Sequence, residues 1–258
     1  MTTAKPERNR SGQRRRGRRA KPLFSDSDSP AQQNESGASN AASLSDAILA
    51  EAGLKPVGTG SILMIACGAL AREILEIKRI GGWSHLDLTC LPAILHNHPE
   101  RIASAVEDAV LRHRQHYKTI FVAYADCGTG GVLEATCARL DVEMIRGPHC
   151  YAFFDGLERF AARDEMTAFY LTDFLVRQFD AFVWKPLGLD QHPDLRDSYF
   201  AHYEVLVYLA QTEDPALTTK AEDAAARLGL RFERRLTGYG ELQSTISRWA
   251  DTPLVTQG

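Results

Sequence analysis

Three cysteines fall at or just past hydrophobic runs that read as β-strands. Ile62-Leu63-Met64-Ile65-Ala66 ends in Cys67-Gly68, and Thr119–Tyr124 is followed by Asp126-Cys127-Gly128. Asp141–Ile145 leads through Arg146-Gly147-Pro148 into His149-Cys150. In an open α/β sheet the carboxyl ends of parallel strands form one rim, where ligands bind. Thiols 60 and 23 residues apart in sequence could therefore meet at one point. Thiolate is a soft ligand suited to zinc or an iron–sulfur cluster. Cys67, Cys127, Cys150 and His149 would complete a tetrahedral zinc shell. Cysteines alone would suit a zinc with an open position, or a cluster with one iron lacking a protein thiolate.

Thiol chemistry without metal is the rival reading, with Cys127 as nucleophile and His96 or His149 as base. Cys67 stands where a strand turns into a helix, and helix amides there are expected to lower its pKa. Cys90, at the end of the second strand, is a replacement ligand; Cys137, inside a helix, is expected in the core. A third reading starts from Asp126-Cys127-Gly128-Thr129-Gly130-Gly131. Backbone amides of a glycine-rich strand-to-helix loop can cradle an anion, here a folate or corrinoid tail. The G-x-G-x-x-G and P-loop spacings are absent. Gly68, Asn97, Asp126, Gly128, Thr129, Gly130, Thr172 and Asp173 are the positions expected to meet such a ligand. Asn97 and Thr172–Asp173 also read as helix caps.

These loops need strands and helices to hold them. Apolar runs at 61–66, 86–91, 119–124, 142–145, 168–171, 204–209 and 231–236 read as strands. Between them, helical periodicity covers 45–54, 69–80, 100–116, 132–140, 151–162, a stretch through Phe174–Phe182, 215–228 and 241–249. Such alternation implies an α/β fold, Rossmann-like and three-layered, with a mostly parallel sheet covered by helices on both faces. Residues 44–258 are expected to form a single domain of one or two lobes.

Residues 1–43 lack this periodicity. Over residues 1–40 Lys and Arg outnumber Asp and Glu nine to four, whereas the remainder is net acidic at −8. The tail is expected to be disordered and basic, because it cannot bury enough apolar surface to offset its ordering entropy. An acidic body argues against nucleic-acid binding except through that tail. No apolar run approaches the roughly 20 residues of a membrane span. The Arg-rich start lacks the apolar segment of an export signal, so a cytoplasmic protein with reduced cysteines is expected.

Five segments together resemble one family: Ile65-Ala66-Cys67-Gly68, Leu95-His96-Asn97-His98-Pro99, Tyr124–Thr129, His149-Cys150-Tyr151 and Thr172-Asp173-Phe174. The family is that of domain of unknown function number 1638, and the resemblance spans about residues 60–240. Members of this family often occur beside corrinoid-dependent methyltransferases. The resemblance thus implies a role in one-carbon, methyl-group metabolism, as a metal- or thiol-dependent methyltransferase or an accessory factor. A corrinoid protein or methyltransferase subunit would then be its partner.

Overall fold

The computed structural model describes residues 44–252. The expected disordered tail, 1–43, lies outside the described residues. The body is α/β, and every strand pairing within its sheets is parallel. The strands form two sheets. In the first, β1 (Ile62–Cys67) lies between β2 (Leu86–Leu91) and β3 (Thr119–Ala123), and β4 (Glu143–Met144) closes the far edge. In the second, β5 (Ala168–Thr172), β6 (Val205–Ala210) and β7 (Arg231–Leu236) lie in chain order.

The order β2-β1-β3-β4 reverses direction between β1 and β3. Crevices for ligands open at the carboxyl ends of strands at such a switch point. All six residues of β1 and of β6 are buried, so helices cover both faces of each sheet, as continuous apolar runs require. Leu63 to Ala66 are fully inaccessible, and each large aliphatic among them contributes about 1.5–3 kcal/mol by leaving water.

The helices follow their local signals. Helix α1 (Asp46–Glu51) is the expected short leading helix. Helix α2 (Ala71–Gly81) follows a 3₁₀ turn at Gly68–Leu70 and ends at Gly82 in the left-handed conformation. Helix α3 (Ile102–His113) follows another 3₁₀ turn at Pro99–Arg101, and α4 is Val132–Leu140. The helix expected over 151–162 is broken at Gly156 into α5 (Ala152–Asp155) and α6 (Leu157–Arg163). Helix α7 (Asp173–Arg177) gives way to a π-turn at Asp180–Trp184, and α8 (Leu195–Tyr199) was not anticipated. Asp214 caps α9 (Pro215–Leu228) by accepting from the N–H of Ala216 and of Leu217, with Gly229 just past its end. Helix α10 (Gly240–Ala250) lays Trp249 flat on Phe121 of β3, ring centroids 4.6 Å apart.

Candidate functional site

The carboxyl ends of β1, β3 and β5 open onto one cavity of about 260 Å³. Cys67, Tyr124, Cys127, His149, Cys150 and Thr172 line it together with His96 and Gly128. The remaining wall is Ala69, Leu70, Ile102, Tyr151, Phe154, Leu175 and Phe182. Among the described residues, no Asp, Glu, Lys or Arg lines it. A wall without charged side chains strengthens any electrostatic interaction made inside.

Backbone pairing brings two of the thiols together. Past the end of the β3–β4 ladder the chains stay side by side, with Asp126 N–H donating to Gly147 O and Cys127 N–H to Pro148 O, both at 2.9 Å. Cys127 adopts φ +48, a left-handed conformation uncommon outside glycine. Its sulfur stands 3.1 Å from that of Cys150. The hydrogen bond shared with Cys150, more than any other influence, lowers the Cys127 pKa. The same contact with Cys127, and after it the desolvation of its sulfur, pushes Cys150 well above the usual thiol range.

Cys67 corrects the expectation made for it. Burial drives its pKa up to about 12, outweighing the backbone amide at Ala69 and the Tyr124 hydroxyl. The short 3₁₀ turn after β1 offers no helix dipole to match that burial. Tyr124 is itself buried, and its hydroxyl has no well-formed hydrogen bond. His96 is held below its usual pKa by burial and by His149, and His149 likewise by burial. Both rings are therefore neutral near pH 7. His149 stacks on Tyr151, which stacks in turn on Tyr170, at 4.9 and 5.3 Å.

Other expected ligand positions have different surroundings. The Asp126 carboxylate accepts from the Thr129 hydroxyl, from Gly130 N–H and from Gly131 N–H, at 2.7, 3.1 and 2.7 Å. The anion cradle of the glycine-rich loop is thus filled by the loop's own carboxylate. Gly68 is a packing glycine: a Cβ there would lie 2.4 Å from Leu49 O. Asn97 donates to Phe182 O. Thr172 caps α7 by accepting from Leu175 N–H, while its side of the cavity remains exposed to a ligand. Asp173 is buried and accepts from the Tyr208 hydroxyl, Gln211 N–H and the Thr212 hydroxyl, tying α7 to the end of β6. Asn97, Asp126, Thr129, Gly130, Gly68 and Asp173 are outside the cavity wall. Cys90 is also outside it and buried, and Cys137 lies in the core as expected.

Tyr124, Tyr151, Phe154 and Phe182 were missed as wall residues. The dense aromatics of 153–184, Phe154 and Phe182 among them, read first as core packing and only second as a cofactor pocket, and Tyr124 and Tyr151 gave no such signal. Among the described residues, no three His, Cys, Asp or Glu side chains are grouped as a ready-made metal site.

Fold and site together define a parallel α/β protein with a thiol-lined, uncharged cavity where the carboxyl edges of two sheets meet. The chain belongs to the family described as "Protein of unknown function (DUF1638)", which matches residues 90–246. Cys67 and β1 precede the matched residues, so the match is shorter at its start than the resemblance read from the sequence. No curated protein and no solved structure matches the chain. Among the described residues no helix is long and apolar enough to cross a membrane.

Proposed function

We propose that Cys67, Cys127 and Cys150 hold a soft metal centre, an iron–sulfur cluster with one iron free of protein thiolate in preference to a single zinc ion. The observation that carries this reading is that three thiols, one at the end of β1 and two in the loops after β3 and β4, open onto one uncharged cavity. A single zinc draws all its sulfurs to a common distance of about 2.3 Å, and no such grouping of three stands ready among the described residues. A cluster places its cysteines on different irons, so binding one would draw the Cys127 and Cys150 sulfurs apart from their 3.1 Å contact, with Cys67 on a further iron. The cavity is also several times the roughly 30 Å³ that one water occupies in the liquid. When bound, such a centre supplies redox chemistry or coordination of substrate at the open iron.

The chain's own residues have definable parts. The Tyr124 hydroxyl, which faces Cys67 without a well-formed hydrogen bond, is a donor for a cluster sulfide or a substrate atom. Neutral His149 and His96 can accept a proton within the cavity. We assign the setting, methyl-group transfer beside a corrinoid protein, on the family resemblance. Anaerobic purification followed by iron, sulfide and zinc analysis tests the centre. Iron and sulfide in matching amounts with a visible charge-transfer band are expected, and Cys127→Ser should abolish both. A chain that binds neither iron nor zinc after anaerobic reconstitution overturns the reading.

The contact of Cys127 with Cys150, and the lowering of the Cys127 pKa that it causes, favour a second reading, Cys127 as a metal-free nucleophile. It predicts selective alkylation of Cys127 at neutral pH by iodoacetamide in a chain that takes up no metal.

A further inference from the structure

We infer that Cys127 and Cys150 are a redox modification site and form a reversible disulfide. Their sulfurs are 3.1 Å apart, about 1 Å more than a disulfide bond of about 2.05 Å. The distance is set by backbone and not by side-chain rotamers alone, because the two loops are tied at Asp126–Gly147 and Cys127–Pro148. These two cysteines retain partial exposure, while Cys67, Cys90 and Cys137 are buried. A small oxidant therefore reaches this pair first. Gly128 beside Cys127 has φ +85, a backbone conformation that glycine adopts without strain.

A low-molecular-weight disulfide is the oxidant class that balances the step. The Cys127 thiolate attacks one sulfur of that disulfide, breaking its S–S bond and releasing one thiolate, which takes up a proton. Cys150 gives its proton to solvent, and its sulfur attacks that of Cys127. The second small thiol leaves, also protonated. Two protein thiols are oxidised, and one small disulfide is reduced to two thiols. The consequence for function rests on the proposed metal centre: oxidation would withdraw two of its three ligands and leave only Cys67.

The test uses the full-length chain, reduced, freed of metal by chelation under argon, and equilibrated with oxidised and reduced glutathione. Alkylatable thiols counted after denaturation should fall from five to three and return to five with dithiothreitol. Tryptic peptides 119–139 and 147–159 should be cross-linked. Because the first also contains Cys137, fragment ions must assign the link to Cys127, and Cys137→Ser should retain it. Five thiols at every glutathione ratio, a link to Cys67 or Cys137, or a stable glutathione adduct without a cross-link overturns the inference. Peptide mapping of the unaltered chain decides this even where a variant fails to fold. Iron uptake by the reduced chain is measured separately. Failure there removes the metal centre and leaves the disulfide standing, whereas a missing cross-link in an iron-binding chain does the reverse.

Discussion

At the scale of single residues, Asp126 does the work that sequence reading assigned to a ligand. Three donors from its own loop converge on its carboxylate, and the Thr129 hydroxyl and Gly131 N–H hold its pKa below the ordinary range. The loop it closes carries Cys127 in a strained conformation. Asp126→Ala should therefore destabilise the chain by about 1–2 kcal/mol, the scale of a lost cap. It should also lower the yield of the Cys127–Cys150 cross-link several-fold. Urea denaturation and peptide mapping check the two effects, and an unchanged cross-link would mean that the loop holds its shape without the carboxylate. The convergence of Cys127 with Cys150 was legible from strand-end placement alone. The ladder pairs Phe121 with Glu143, an offset of 22, and the two cysteines are 23 apart. The depressed pKa expected at Cys67 was not legible correctly, because motif spacing carries no information about depth of burial.

At the scale of elements, two glycines separate steric from conformational demand. Gly68 joins β1 to the 3₁₀ turn where Leu49 O, Leu91 O and Ala93 N crowd its missing Cβ, at 2.4, 3.0 and 3.1 Å. Gly130 has φ +63 in open space. Gly68→Ala forces backbone apart between β1, α1 and the end of β2, and should cost about 1–3 kcal/mol, toward the upper end because backbone cannot rotate away. Gly130→Ala meets only the left-handed penalty of about 1–2 kcal/mol. Denaturation midpoints of the two variants should rank in that order; equal losses would show that the approach at Gly68 relaxes easily. Most strand and helix spans followed from apolar runs and periodicity. The exceptions share a cause: Gly156 at φ +90 breaks one helix, and the π-turn at Asp180–Trp184 interrupts another. An apolar pattern passes through both, since packing continues where the hydrogen-bond ladder changes.

At the scale of the whole molecule, the division into two sheets explains the cavity. Parallel strands with crossover helices look alike in sequence whether they join one sheet or two. Here β4 has only two paired residues, and the chain then makes α5 and α6 before β5 starts a new sheet. Glu73 of α2 is buried near Arg177 and Asp173 of α7, which follows β5 of the second sheet. Asp46 of α1 accepts from Arg72 of α2 and Arg177 of α7, at 2.8 Å each. Glu73 Oε2 and Arg177 Nη2 are buried without hydrogen-bond partners. Burial, more than its neighbours, raises the Glu73 pKa to about 7. The unfolded chain gives up this proton near pH 4.3, while the folded chain keeps it until about pH 7. Stability from this group therefore falls as pH rises through that window, and the full penalty is present above it. Glu73→Gln keeps the shape and removes the titration. Relative to the natural chain it should gain stability between about pH 5 and about pH 8, by on the order of 3 kcal/mol at most. Urea unfolding of both chains at those two pH values reads the difference. A gain that shrinks as pH rises would mean that Arg177 already stabilises the ionised carboxylate, and that the helices between the two sheets are joined by an ion pair instead of a protonated acid.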